Sequence, residues 1–287
     1  MRIVILTVLA LIAFAGNSLL CRAALANTQI DPASFTAVRL VSGAAVLGLL
    51  VILRGGTSTG QGNWKSALAL FAYAAGFSFS YVHLTAAAGA LILFGAVQTT
   101  MIGYGLWAGE RMRSIQVSGL LLACGGLIGL LLPGYTAPPL MGALLMLGAG
   151  VAWGIYSLRG KGSGDPLRVT QGNFLRASPL ALVLGAVLFR QLSWDSAGLM
   201  YAILSGALAS GMGYAIWYTA LPHLNSTTAA TVQLSVPVIA AIGGILFLSE
   251  PLTLRLIIAS VAILGGIALV VGFRKRPPKP AQPAERP

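Results

Sequence analysis

Apolar residues run along this 287-residue chain in long stretches, without the polar face every third or fourth residue that a surface helix of a soluble protein shows. Ten of these stretches approach the roughly 20 residues that cross a bilayer as an α-helix. They predict spans near 3–21, 33–53, 66–83, 88–108, 115–132, 140–158, 170–189, 197–220, 227–248 and 254–273. The expected fold class is therefore an all-α integral membrane protein with ten transmembrane helices.

Polar residues punctuate the stretches with a period of their own. The chain's two histidines, His83 and His223, lie 140 residues apart, and the same offset superimposes Glu110 on Glu250 and Gly125-Gly126 on Gly265-Gly266. Rare residues in common register mark an internal duplication. Arg22 and Arg159, and Arg39 and Arg176, repeat at 137, which fits a small loop insertion in the second copy. The expected units are residues 1–135 (spans 1 to 5) and 136–273 (spans 6 to 10), followed by a tail over 274–287. Five spans is an odd number, so the second copy must enter the membrane upside down, an inverted-topology repeat. Arg2, the first apolar run and Ala24-Leu25-Ala26 imitate a secretory signal with its cleavage site. Retention is expected, because cleavage would leave four spans facing five.

Composition agrees with the spans: 57% of residues are hydrophobic, 8% are charged and the mean hydropathy is +0.86, against about 25% charged in soluble domains. The formal net charge of +12 needs no nucleic-acid partner once its distribution is read. Arg2, Arg54, Lys65, Arg111, Arg113, Arg159, Lys161, Arg168 and the tail cations fall on the side of the N-terminus, whereas Arg22, Arg190 and Arg255 fall opposite. The positive-inside rule makes both termini cytoplasmic, in a multi-pass protein of the bacterial inner membrane. The tail Arg274-Lys275-Arg276-Pro277-Pro278-Lys279-Pro280 is a basic clamp or a contact for anionic lipid headgroups. Cys21 and Cys124 lie far apart in apolar segments and are read as buried hydrophobes.

Chemistry narrows by exclusion. The acidic residues Asp31, Glu110, Asp165, Asp195, Glu250 and Glu285 all fall in loops, at span ends or in the tail, so no carboxylate is expected at mid-membrane to relay protons. His83 and His223 sit at tight turns, where turn capping competes with a protonatable role. The chain has no HExxH or CxxC, and Gly160-Lys161-Gly162 lacks the Ser or Thr that a phosphate loop places after its Lys. No enzyme activity, cofactor or metal is expected. Gly105xxxGly109, Gly125xxxGly129 and Gly150xxxGly154 predict close helix packing. Pro237 with Gly243-Gly244 supplies a candidate hinge in span 9.

Ser235-Val236-Pro237, Glu250 after span 9, Glu110 after span 4 and the Gly-Gly pairs that follow resemble the EamA repeat of the drug/metabolite transporter superfamily, over both copies. Within it the chain looks most like YddG-type exporters of aromatic and other neutral amino acids. The resemblance implies two inverted five-helix repeats around a central cavity open to one side at a time. Two positions depart from the pattern: Val97 stands where the second copy has Pro237, and Ala15-Gly16 where it has Trp153-Gly154.

Candidate substrate contacts come from two residue types. Tyr73, Phe77 and Tyr81 share one face of span 3, and Tyr214, Trp217 and Tyr218 lie in span 8. They offer π-surfaces to an aromatic or cationic solute, or else pack helices or form an interfacial belt. Asn17, Gln98 and Gln233 are amides deep in spans, where lipid could not satisfy them; they bond neighbouring helices or contact the solute. Trp153 and Tyr156 of span 6 are added from the family's cavity helices. Arg39 and Arg176 are the cations inside spans, serving as carboxylate counter-ions or, as the bilayer favours, snorkelling or bonding carbonyls.

The leading expectation is a secondary, facilitative carrier that exports neutral, aromatic or hydrophobic amino acids by alternating access. The alternatives are a drug, amine or metabolite exporter of the same superfamily, proton-coupled antiport, or a membrane scaffold that transports nothing. Its partners would be a small-molecule substrate and the lipid bilayer, and a monomer would suffice.

Overall fold

The computed structural model describes residues 1–56, 61–109, 111–134, 137–160, 164–224 and 232–273. Glu110 and the tail cations lie outside them. Ten helices run through the described residues: α1 (Arg2–Asn27), α2 (Pro32–Leu53), α3 (Trp64–Tyr81), α4 (Ala86–Trp107), α5 (Ser114–Leu131), α6 (Leu140–Gly160), α7 (Pro166–Val187), α8 (Ser196–His223), α9 (Ser235–Leu248) and α10 (Leu254–Gly272). Seven of them, α1, α2, α4, α5, α6, α8 and α10, are long and apolar enough to cross a membrane. α7 carries Arg168, Gln171, Asn173 and Arg176, which lower its hydropathy, and α9 has only 14 residues.

Short polar side chains start the helices. Asp31, Asp165 and Asp195 each accept a backbone N–H from the first turn of α2, α7 and α8, and Asn63, Thr85 and Thr253 do the same for α3, α4 and α10. Pro32 and Pro166 occupy the first position of their helices, where the missing N–H costs nothing. Three of the six acids in the chain are thereby helix caps. Two predicted boundaries move. α1 continues to Asn27, so Arg22 belongs to its last turns instead of a loop, and Ala24 within it is fully buried. α9 begins at Ser235 after two helical residues, 232 and 233, and a turn at Leu234; the remainder of the span predicted from 227 falls on residues outside those described.

The helices pair in a pattern that survives exchange of helix n for helix n+5. α5 packs on α10 and α2 on α7; α3 packs on α6 as α8 does on α1, and α4 on α6 as α9 does on α1. Small residues set the close approaches. A Cβ on Gly150 would lie 2.7 Å from the carbonyl of Leu93, and one on Gly154 2.8 Å from Thr100, so this predicted pair seats α6 on α4. The expectation for Gly125xxxGly129 is not met: a Cβ on either would meet nothing within 4 Å. The α5–α10 seam runs instead through Gly119 and Gly126, two turns apart, with a Gly119 Cβ falling 2.6 Å from the carbonyl of Gly266. Gly109 stands beyond the end of α4 at φ +91° as a turn residue, not a packing one. α4 is the most enclosed helix, buried on every side from Ala86 to Gln98.

Candidate functional site

Aromatic rings from α1, α3, α6 and α8 meet in one cluster. Tyr73 lies 5.4 Å from Phe77 and 4.7 Å from Trp153, and Trp153 lies 5.0 Å from Tyr214, which in turn packs edge-on to Phe14 at 5.9 Å. Offset and edge-to-face geometries at these separations are favourable beyond simple area burial. Together with Asn17, Ser18, Leu93 and Phe94 these rings enclose a cavity whose free volume is about 20 Å³, room for roughly one water. A solute the size of an amino acid enters only if the rings move apart.

A chain of polar side chains starts at Asn17 and Tyr73 in the wall and continues behind it. Ser205 donates to Asn17 Oδ1 at 2.6 Å, Asn17 Nδ2 donates to the Tyr73 hydroxyl at 3.3 Å, and that hydroxyl also accepts from Arg39 at 3.0 Å. Arg39 Nε reaches Ser210 Oγ at 3.2 Å. Every member is buried. The serines arrive by a local change in α8: Ser205–Met212 is π-helical, with i→i+5 bonding. Residues five apart stand about 140° from each other on an α-helix of 3.6 residues per turn. The wider turn brings Ser205 and Ser210 towards one face, and such insertions recur at functional sites.

Arg39 departs from the expectation of snorkelling or carbonyl bonding. It is 1% exposed, and its guanidinium lies 5.1 Å and 4.8 Å from the ring centroids of Tyr73 and Phe77. α2 is enclosed by α7, α3 and α8, so the head group has no path to an interface. Arg176 lies elsewhere, donating to the carbonyls of Gln61 at 2.6 Å and Gly172 at 2.9 Å.

The other sequence candidates divide. Tyr81 is fully buried behind Phe77 at 4.7 Å, Tyr156 packs on Trp153 at 5.4 Å, and Trp217 packs on Phe14 at 5.8 Å, all adjoining the cavity without lining it. Tyr218 is half-buried beside the same cluster. Gln98 is buried on α4 and Gln233 half-buried before α9, neither in the cavity wall. His83 and His223 are exposed at helix ends. Pro237 lies in the first turn of α9, while Gly243 and Gly244 sit within regular helix, where a Cβ would strike Leu19 of α1 and Glu250. Phe14, Ser205 and Ser210 were not singled out from the sequence; Phe14 sits in an unbroken apolar run, and the serines become partners only through the π-helical turn.

The end of the bundle where α1 finishes is tied by an ion pair. Arg22 Nε meets Glu250 Oε1 at 3.1 Å, Arg22 also donates to the carbonyls of Tyr81 and Val82, and Glu250 Oε2 accepts the N–H of Ala86 at 2.8 Å. The bond network joins α1, the end of α3, the start of α4 and the turn after α9. Ser249, at φ 52°, makes that turn and aims Glu250 inward.

A polytopic helical bundle with an occluded, aromatic and hydroxyl-lined cavity defines a membrane transport protein by architecture. Residues 140–272 match the EamA-like transporter family. The chain is 59% identical over 274 residues to the uncharacterized protein PA1977 of Pseudomonas aeruginosa, covering 95% of this chain and 96% of that one. It is 33% identical over 128 residues to the threonine/homoserine exporter RhtA of Salmonella typhimurium, covering 44% and 43% of the two chains. A solved protein structure superposes with TM-score 0.65 at 18% identity, over 92% of this chain and 96% of the other, a likeness of fold. The chain carries an EamA-like transporter domain, of the drug/metabolite transporter superfamily, over residues 140–272. It is a multi-pass membrane protein, and members of its family are transporters.

Proposed function

We propose that this protein is a secondary carrier that exports neutral amino acids, those with aromatic or hydrophobic side chains first, across the bacterial inner membrane by alternating access. All ten helices cross the bilayer in this reading, as two inverted five-helix units with both termini cytoplasmic. The exchangeable helix pairing supports the duplication with inversion. The observation that carries the transport reading is the closed cavity: π-faces from Phe14, Tyr73, Phe77, Trp153 and Tyr214 beside a wall of hydroxyl and amide groups. Rings bind an apolar side chain, and neutral hydrogen-bonding groups hold a polar head without trapping it. Transport is facilitative in this reading, because among the described residues the acids serve caps and the Arg22–Glu250 pair and none stands in the cavity wall.

The kinship with a threonine/homoserine exporter favours amino acids over drugs or amines. Counterflow in proteoliposomes loaded with unlabelled phenylalanine, leucine or threonine checks it. Labelled phenylalanine and leucine should accumulate transiently, and threonine more weakly. Transport of organic cations with no exchange of any amino acid would overturn the reading.

A further inference from the structure

Behind the cavity wall stands a full positive charge that no acidic group among the described residues pairs with. Arg39 sits eight residues into the membrane from the Asp31 cap, about 12 Å at 1.5 Å rise per residue. Its side chain is buried, yet among the described residues the ion pairs are Arg22–Glu250 and Arg168–Asp165, and neither involves it. Its partners are neutral: the hydroxyls of Tyr73 and Ser210 and the faces of Tyr73 and Phe77. Its second terminal nitrogen, Nη1, is buried with no hydrogen-bond partner. Leaving ionised donors unsatisfied in a low-dielectric interior is among the most unfavourable arrangements a protein holds.

We propose that Arg39 is the carboxylate-binding residue of the cavity and that the solute supplies the missing negative charge. This rests on the transport reading above and deepens it. Tyr73 and Phe77 line the cavity on one side and carry the guanidinium on the other, so Arg39 stands one ring's thickness behind the wall. When the rings part to admit a solute, Nη1 and Nη2 are exposed as a fork that matches a carboxylate's two oxygens. The Tyr73 hydroxyl, now shared between Arg39 and Asn17, is the group a carboxylate oxygen would replace. Nothing in the wall is acidic, so an ammonium group finds only the neutral Asn17, Ser18 and tyrosine oxygens and the π-faces. A buried uncompensated cation repels an organic amine of the same shape. The site therefore selects monocarboxylates, zwitterionic or fully anionic, and rejects amines.

Three probes that differ only in these groups test it: phenylalanine, 3-phenylpropionate, which lacks the ammonium, and phenethylamine, which lacks the carboxylate. Each competes with labelled phenylalanine in counterflow by the reconstituted full-length protein. On the wild type, phenylpropionate should inhibit within about threefold of phenylalanine and phenethylamine at least tenfold more weakly. This arm needs no variant to fold. Arg39→Gln should abolish the preference of acid over amine, and Arg39→Lys should keep it in part. Equal inhibition by amine and acid on the wild type, or an undiminished preference in a folded Arg39→Gln, would overturn the role of Arg39 while leaving amino-acid transport intact. A folded wild type that none of the three inhibits, and that exchanges no amino acid, would sink the transport reading itself.

Discussion

Asn17 occupies a position where its substitution separates two roles that amides play inside membranes. Its carbonyl oxygen accepts from Ser205 and its amide donates to Tyr73, so it links α1 to both α8 and α3 at the cavity. Leucine in its place would leave a buried serine hydroxyl and one contact of Tyr73 unanswered, a loss of about 1 to 3 kcal/mol for each orphaned group. Asn17→Leu should cut phenylalanine flux at least tenfold while the protein still reaches the membrane. Gln233→Leu, at a half-buried residue outside the cavity wall, should stay within about twofold of wild type. Initial rates of counterflow, normalised to protein in the liposomes, decide between them; equal effects would count against the cavity assignment. From the sequence these two amides were indistinguishable. Both lie deep in apolar segments, and hydropathy carries no information about which way a side chain points around its helix. The same limit hid Ser210, since a π-helical turn has no signature in Ser205-Gly206-Ala207-Leu208-Ala209-Ser210.

At the scale of elements, the Arg22–Glu250 pair holds four helices together on one face, and it has the geometry of a latch. The Glu250 side chain is 8% exposed and that of Arg22 21%, so the pair is screened less than a surface ion pair. A hydrogen bond to a charged group contributes about 1.5 to 3 kcal/mol. Glu250→Gln keeps the shape and removes the charge, and should shift the balance towards opening on that face by roughly tenfold, 1.4 kcal/mol being a factor of ten. Cys21, fully buried next to Arg22, is a natural reporter. In a Cys124→Ser background, a membrane-impermeant maleimide should label Cys21 about tenfold faster in Glu250→Gln than in the parent. Unchanged labelling would mean that the face is closed by helix packing alone. The equivalence of Glu110 and Glu250 was plain in the sequence. That Glu250 grips Arg22 across 228 residues was not, because Arg22 was placed in a loop when α1 in fact carries it inward.

For the whole molecule, the decisive question is what drives transport. The acids whose positions are described serve as helix caps or in ion pairs at the helix ends, and the cavity wall is neutral with one cation, Arg39, behind it. In the facilitative reading proposed above, the carrier follows its substrate's gradient. Net efflux of phenylalanine from proteoliposomes should change by less than about twofold when a pH gradient of one unit is imposed or collapsed, which a fluorescent pH reporter and a protonophore can check. A severalfold dependence would point to proton coupling and return the histidines to consideration.

Much of this architecture was written in the chain. A bilayer demands about 20 apolar residues per crossing wherever the crossing occurs, so seven long apolar helices follow from local composition, and the register of two histidines, two glutamates and two Gly-Gly pairs points to a duplication. What tertiary structure alone decided is which polar groups meet. The rotation of each helix, the π-helical turn in α8, the α5–α10 seam through Gly119 and Gly126, and the enclosure of Arg39 all depend on residues from helices distant in sequence. Hydropathy is a property of a segment, whereas a binding site belongs to the relative placement of segments, and packing sets that placement.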